Sequence, residues 1–128
     1  MVREWTGGCL CGGVRYRITA EPSAGCACHC TECRRQTGYM LASFHVAREA
    51  VSFHADASLR WFESSPGTRR GFCGTCGSVL FWERIEGPNR SVTLGSLDGP
   101  TGLRIERHVF VAEAGDYYDG PGKNAGDP

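Results

Sequence analysis

The most informative segment of the chain reads Phe-Cys-Gly-Thr-Cys-Gly-Ser, residues 72–78. Two cysteines at this spacing on a glycine-containing turn can place both sulfurs on one metal ion, while nearby backbone N–H groups stabilise the thiolate charge. Related segments are Gly-Cys-Leu-Cys-Gly-Gly at 8–13 and Cys-Ala-Cys-His-Cys-Thr-Glu-Cys at 26–33. These three segments contain all eight cysteines of the chain. The pattern predicts a domain whose chain is cross-linked by bound metal.

The rest of the composition agrees with a small domain that is cross-linked in this way. The chain has 128 residues, of which 41% are hydrophobic, and this length suits a single compact core. Leu, Ile, Val and Phe are few, so the core is thin and a bound metal would supply stability that apolar burial does not. We therefore predict one domain over residues 1–120. The polar, turn-rich residues 121–128 are expected to form a mobile tail.

Charge and hydropathy exclude several partners. The formal net charge is zero, so the chain lacks the broad electrostatic attraction that dominates nucleic-acid binding. Its longest stretches without a charged residue, 36–47 and 71–82, are too short to cross a bilayer. The N-terminus becomes charged at once and has no apolar signal core, which predicts a cytoplasmic protein. Eight thiols in such a compartment indicate metal binding.

Alternating apolar and polar residues predict a mainly β fold, because a strand with one buried face repeats every two residues. The predicted strands are 14–20, 41–46, 51–54, 58–63, 68–72, 79–82, 91–94 and 103–111. The one predicted helical turn is 32–37, capped by Thr31 and ended by Gly38. Short strands between glycine-rich turns favour an all-β domain. The expected core aromatics are Phe44, Phe53, Trp61, Phe81 and Trp82.

Spacing alone leaves the grouping of the cysteines open. Four disulfides are disfavoured, because no export signal is present and bridges between such close cysteines would be strained. A single ribbon from Cys30, Cys33, Cys73 and Cys76 would place 39 residues between its two pairs, more than the usual 15 to 20. Many other partitions of eight ligands remain.

Three motifs resemble the glutathione-dependent formaldehyde-activating enzyme family, which includes the centromere protein V group. They are Gly8-Cys9-Leu10-Cys11-Gly12-Gly13-Val14-Arg15-Tyr16, Cys28-His29-Cys30-Thr31-Glu32-Cys33-Arg34-Arg35 and Phe72-Cys73-Gly74-Thr75-Cys76-Gly77-Ser78. The similarity extends over about residues 5–120. It implies a zinc-binding domain of the Mss4-like type, built from short antiparallel strands.

The resemblance also implies two unequal zinc sites. Cys9, Cys11, Cys73 and Cys76 would hold a structural Zn²⁺, and Cys28, Cys30 and Cys33 would hold a second one. Four protein ligands complete a tetrahedron, whereas three leave one position for a substrate atom or water. The eighth thiol, Cys26, lies outside this pattern and could close the second site. His29, between two of the ligands, is expected to form hydrogen bonds beside the site without binding the metal.

The implied activity is that of a carbon-sulfur lyase. A thiol cosubstrate, glutathione in the family's named reaction, would form or release an adduct with formaldehyde or another small aldehyde at the open zinc. Arg34 and Arg35 could pair with a carboxylate of that thiol, or could be solvated helix residues. The alternative is a noncatalytic zinc module that binds another protein. A homo-oligomer is possible, and the sequence does not fix the oligomeric state.

Overall fold

A computed structural model describes residues 4–119, which form ten β-strands and one α-helix. The strands are β1 (Trp5–Gly8), β2 (Arg15–Ile18), β3 (Gly25–Cys28), β4 (Leu41–Ala47), β5 (Val51–Ala55), β6 (Leu59–Ser65), β7 (Thr68–Cys73), β8 (Val79–Arg84), β9 (Asn89–Thr93) and β10 (Ile105–Val109). The helix α1 (Thr31–Thr37) lies between β3 and β4. The predicted mainly β fold with one short helix is confirmed. The predicted tail at 121–128 lies outside the described residues.

The strands form two sheets. One has the order β1-β2-β5, and the other has the order β10-β3-β4-β9-β8-β7-β6. Every pair is antiparallel except β10 with β3, which is parallel. A parallel pair needs a long connection between its strands, and here most of the domain lies between β3 and β10. Within residues 4–119, no helix has the length and apolar character needed to span a membrane.

Two strands of the structure were not predicted, and the bounds of the last predicted strand differ most from the observed ones. The sequence patterns did not indicate β1 or β3, because each strand has only four residues. β1 consists of tryptophan, threonine and two glycines, and β3 consists of glycine, alanine and two cysteines. The predicted strand at 103–111 is shorter in the structure and ends at Val109. It ends there because Phe110 adopts a left-handed conformation with φ of 56°, which an extended strand does not allow.

The hydrophobic core lies between the two sheets. Val92 pairs with Phe44 on one side and Phe81 on the other, so these three side chains point to the same face of the larger sheet, and all three are buried. Tyr16 and Ile18 are fully buried from the smaller sheet. The side chains on the opposite face of the larger sheet therefore do not belong to the main core.

The prediction that Trp82 belongs to the core is wrong. Trp82 pairs with Ser91, and Ser91 pairs with His45, so these side chains lie on the second face of the larger sheet. Because successive side chains of a strand alternate between faces, Phe81 takes the core position and Trp82 points the other way. This second face carries the candidate site.

A buried carboxylate, that of Glu83, lies on the same face of β8 as the core residue Phe81. Glu83 is 1% exposed and accepts hydrogen bonds from Arg90 at 2.5 Å and from Arg69 at 2.9 Å. Arg48 lies 3.5 Å from the same carboxylate. The guanidinium of Arg69 also stacks over the ring of Trp61 at 4.0 Å. Because a buried charge without a partner is costly, these arginines make the burial of Glu83 possible.

Candidate metal centres and the adjoining cavity

Four sulfurs meet where the β1–β2 turn approaches the β7–β8 turn. The Sγ atoms of Cys9, Cys11, Cys73 and Cys76 all lie within 4.8 Å of one another, and we call this group the four-thiol cluster. The Cys9–Cys11 and Cys11–Cys73 sulfur distances are both 3.7 Å. Four sulfurs at about 2.3 Å from one ion in a tetrahedron would be about 3.8 Å apart. The cluster therefore fits a single tetrahedral metal ion.

The surrounding backbone is arranged to stabilise sulfur charge. The N–H of Val14 donates to the Cys9 sulfur at 3.2 Å, and the N–H groups of Thr75 and Cys76 donate to the Cys73 sulfur at 3.4 Å. The turn after Cys76 closes at Gly77, whose φ of 81° is readily available only to glycine. Such N–H donors orient and stabilise metal-binding thiolates.

The pKa values in the four-thiol cluster are uneven. The Ser58 hydroxyl and the N–H groups of Cys76 and Thr75 lower the pKa of Cys73 to about 7. Hydrogen bonds from the side chain and backbone of Ser78 lower the pKa of Cys76 to about 5. The N–H of Gly13 lowers the pKa of Cys11. The thiol of Cys9, burial and the other two thiols of the cluster raise it and together have the larger effect, so the pKa of Cys11 rises to about 11. Two thiols that ionise readily are suited to a cation.

A second group of sulfurs lies at the end of β3 and the start of α1. The Sγ atoms of Cys28, Cys30 and Cys33 lie within 4.8 Å of one another and form the three-thiol cluster. Cys30, rather than the predicted Thr31, is the N-cap of α1, and its sulfur accepts a hydrogen bond from the N–H of Cys33 at 3.4 Å. The cap lies at residue 30 because its backbone is extended and Thr31 already begins the helix. The predicted end of the helix at Gly38 is confirmed, with φ of 82°.

Arg70 provides a positive charge that hydrogen-bonds directly to the three-thiol cluster. Its guanidinium donates to the Cys33 sulfur at 3.5 Å and to the Gln36 side chain at 2.9 Å, and it also contacts Glu32 at 3.5 Å. The hydrogen bond from Cys33 lowers the pKa of Cys28, whereas the neighbouring Cys28 sulfur and burial raise the pKa of Cys33. Of these two thiols, Cys28 therefore ionises first.

Cys26 does not join the three-thiol cluster. Among residues 4–119, the atoms close enough to share an ion with Cys28 are those of Cys30 and Cys33. Cys26 lies two residues before Cys28 on β3, so both side chains point to the same face of the sheet. Burial raises the pKa of the Cys26 thiol, and the positive charge of Arg107 acts in the opposite direction. The geometry leaves the three-thiol cluster with three protein ligands.

His29 points away from the sulfurs. Its side chain is 1% exposed, its Nε2 lies 3.0 Å from Nδ1 of His108, and its Nδ1 hydrogen-bonds with the hydroxyl of Tyr118. The rings of His108 and Tyr118 lie nearly parallel to the His29 ring, with interplanar angles of 23° and 21° and centroid distances of 5.2 and 5.7 Å. This aromatic stack fixes the turn that carries Cys28 and Cys30.

The three-thiol cluster opens into a cavity of about 570 Å³ on the second face of the larger sheet. The helix α1 and the segment 110–113 cover part of this face. The Glu113 carboxylate links this segment to α1, because it accepts hydrogen bonds from the backbone N–H and the hydroxyl of Thr31 at 2.9 and 3.0 Å. Besides the three thiols, the lining includes Cys26, Ser43, His45, Arg70, Trp82, Ser91, Arg107, Glu32, Phe110 and Glu113. A cavity of this volume admits a molecule much larger than a small aldehyde.

The structure does not bring Arg34 and Arg35 to this cavity. Thr31, Glu32 and Cys33 line it, but the next two residues do not. Their predicted contact with a thiol cosubstrate at this cavity is not supported by the geometry.

Sequence reasoning missed several residues of the cavity. Arg70 and Arg107 were not assigned to it, nor were Trp82, Phe110 and Glu113. For residues in strands, alternation shows that successive side chains lie on opposite faces of the sheet. It does not show which of the two faces borders a cavity. For Phe110 and Glu113, no pattern in the sequence was available.

The fold and the site define a β domain with two cysteine clusters that could hold metal ions, one of them beside a cavity. The chain belongs to the glutathione-dependent formaldehyde-activating enzyme family, whose sequence profile matches residues 4–113. It is 26% identical over 118 residues to an uncharacterized lyase, C29B12.13, of Schizosaccharomyces pombe, covering 91% of this chain and 85% of that protein. Family and relative together support an enzyme of the lyase type.

A solved structure has the same fold. A crystal structure of a Rhodobacter sphaeroides protein superposes with a TM-score of 0.67 and 20% sequence identity. The match covers 81% of this chain and 99% of that one. At this identity, the similarity concerns the fold alone.

Proposed function

We propose that this protein is a zinc-dependent carbon-sulfur lyase, which forms or cleaves the adduct between a thiol such as glutathione and formaldehyde or another small aldehyde. The observation that supports it best is the position of the three-thiol cluster, since Cys28, Cys30 and Cys33 line a cavity of about 570 Å³. Membership of the glutathione-dependent formaldehyde-activating enzyme family supports the choice of substrates.

The two clusters would have different tasks. The four-thiol cluster offers a complete set of ligands and would hold a structural zinc that joins two distant turns. The three-thiol cluster offers one ligand fewer. A Zn²⁺ held by Cys28, Cys30 and Cys33 would supply Lewis acidity and lower the pKa of a thiol that coordinates it.

The side chains of the cavity would bind and orient the reactants. Arg70 donates a hydrogen bond to the Cys33 sulfur and, through its contacts with Glu32 and Gln36, holds α1 against β7. The Glu113 contact with Thr31 keeps the segment 110–113 over the cavity and limits access of water. The reaction is balanced without a further reactant: the S–H bond of the thiol adds across the C=O bond, the sulfur bonds to carbon, and the proton ends on the former carbonyl oxygen. Cleavage is the reverse.

A cytoplasmic location belongs to the same proposal. All eight cysteines are free thiols in the structure. Reduced cysteines are typical of compartments that hold thiols in the reduced state.

The proposal is tested by measuring exchange between glutathione and ¹³C-formaldehyde by NMR, with and without the zinc-loaded protein. We expect the protein to accelerate both formation and cleavage of the adduct, and Cys30→Ser to remove most of that acceleration. Cys26→Ser is the matched control, because it removes a thiol of the same cavity that lies outside the cluster. If the zinc-loaded protein accelerates neither direction for any of several small aldehydes and thiols, the lyase proposal is wrong and a noncatalytic binding module is favoured.

A further inference from the structure

We propose that Arg107 is a specificity-determining residue of the cavity, which pairs with a carboxylate of the thiol substrate while the sulfur of that substrate lies at the three-thiol cluster. The inference rests on the proposed function and assigns a residue to the recognition of one substrate group. It replaces the expectation that Arg34 and Arg35 perform this recognition.

The register of β10 against β3 places Arg107 beside the cluster. Val109 pairs with Cys28, and Arg107 pairs with Cys26, in the one parallel pair of the described sheets. Arg107 and Val109 are two residues apart on one strand, so both side chains point to the face that carries Cys26 and Cys28, and both line the cavity. From the strand spacings, the Arg107 and Cys28 backbones are roughly 8 Å apart. A long arginine side chain can therefore meet a carboxylate that is a few bonds away from the substrate sulfur.

The other charged groups of the cavity already have partners. Arg70 donates to Cys33, Gln36 and Ser64 and contacts Glu32. The carboxylate of Glu113 accepts two hydrogen bonds from Thr31. The two acids of the lining are thus engaged, and neither of them is paired with Arg107.

Arg107 differs from these groups. In the part of the chain that the structure describes, no carboxylate lies within 4.0 Å of its guanidinium, whereas several other arginines form ion pairs with carboxylates. Its side chain is exposed at the cavity and carries the fixed positive charge and fork of donors that suit a carboxylate. A cavity with one uncompensated cation on its wall selects an anionic ligand over a neutral one of the same shape.

The experiment compares two thiols of the same length and nearly the same shape, the anionic 3-mercaptopropionate and the neutral 3-mercaptopropionamide. Their affinity for the zinc-loaded protein is measured by isothermal titration calorimetry in the absence of aldehyde, for the wild type and for Arg107→Gln and Arg107→Lys. Arg104→Gln is the matched control, because Arg104 is also an exposed arginine, lies just before β10 and does not line the cavity. The same variants are assayed for KM and kcat with both thiols.

We expect the wild type to bind the carboxylate thiol about tenfold more tightly than the amide, the size of effect usual for a hydrogen bond to a charged group. Arg107→Gln should remove this preference and raise KM for the carboxylate thiol with little change in kcat, whereas Arg107→Lys should retain part of it. Arg104→Gln should behave as the wild type.

Two other outcomes overturn the inference in distinguishable ways. If both thiols bind and the preference for the carboxylate is absent, or is equal in the wild type and in Arg107→Gln, the role of Arg107 is wrong while the proposed function stands. If neither thiol binds to the wild type, the proposed thiol site fails and the assignment of Arg107 fails with it.

Discussion

Removal of one thiol from the four-thiol cluster should destabilise the domain more than removal of one from the three-thiol cluster. The four-thiol cluster joins two turns that are far apart in sequence, since Cys11 and Cys73 are separated by 62 residues. In the chain-entropy treatment of a cross-link, closing a loop of that length is worth about 4 kcal/mol, against about 2 kcal/mol for the short segment from Cys28 to Cys33. The latter segment is also held by β3 and α1. The difference of about 2 kcal/mol is a large fraction of the stability of a typical small domain.

The test compares Cys76→Ser with Cys30→Ser. These substitutions are well matched, because each removes one partly exposed thiol of a Cys-x-x-Cys pair. Thermal unfolding is followed by circular dichroism in the presence of zinc, and the metal content of each purified variant is determined. We expect the midpoint of Cys76→Ser to lie roughly 5–10 °C below that of Cys30→Ser, from about 2 kcal/mol in a domain of this size. Cys26→Ser should unfold close to the wild type.

Equal losses of stability in Cys76→Ser and Cys30→Ser would refute the division of the thiols into a structural and an open cluster. A wild-type protein that binds no metal would remove its physical basis. Addition of a chelator provides a second check, because it should lower the midpoint of the wild type strongly and that of Cys76→Ser much less.

Two further predictions concern buried charge and backbone strain. Glu83→Gln should lower stability by about 3 kcal/mol or more in chemical denaturation, because it leaves arginines without their buried counter-charge. Burial opposes ionisation of Glu83, but Arg90 and Arg69 outweigh it and lower its pKa, so its contribution is present above the ordinary carboxylate pKa and disappears as the pH falls through the folded value. A pH series in which the wild type and Glu83→Gln lose stability in parallel would contradict this. Phe110→Gly should be more stable than Phe110→Ala by about 1 kcal/mol, since only glycine adopts a φ of 56° without cost, and equal melting midpoints would argue against strain there.

Much of the fold could be predicted because its signals are local. The alternation of Val14, Tyr16 and Ile18 with polar residues indicates a half-buried strand directly, and the cysteine spacings indicate turns that can bind metal. β1 and β3 were missed for the opposite reason, since four residues rich in glycine or cysteine show no periodicity. These strands form because neighbouring strands offer them hydrogen-bond partners, which is a property of the assembled sheet.

The candidate site shows the same division. The cysteines that group into clusters could be proposed from a family resemblance, and their sulfurs do meet in the structure in those two groups. Arg34 and Arg35 follow Cys33 directly in the sequence, but neither of them lines the cavity. Hydrophobicity predicts that Trp82 belongs to the core, but it does not indicate on which face of the sheet a side chain is buried.

Local patterns are enough to predict the mainly β character of the domain, the position of its α-helix and the set of thiols able to bind metal, because strand periodicity, helix capping and cysteine spacing act over a few residues. Long-range packing establishes that β10 lies parallel to β3, that the second face of the larger sheet forms a cavity, and that Arg70 and Arg107 line it with the three thiols. Those relations depend on the register between strands distant in the chain and on what covers each face. Both are set when the whole domain packs, so no local pattern records them.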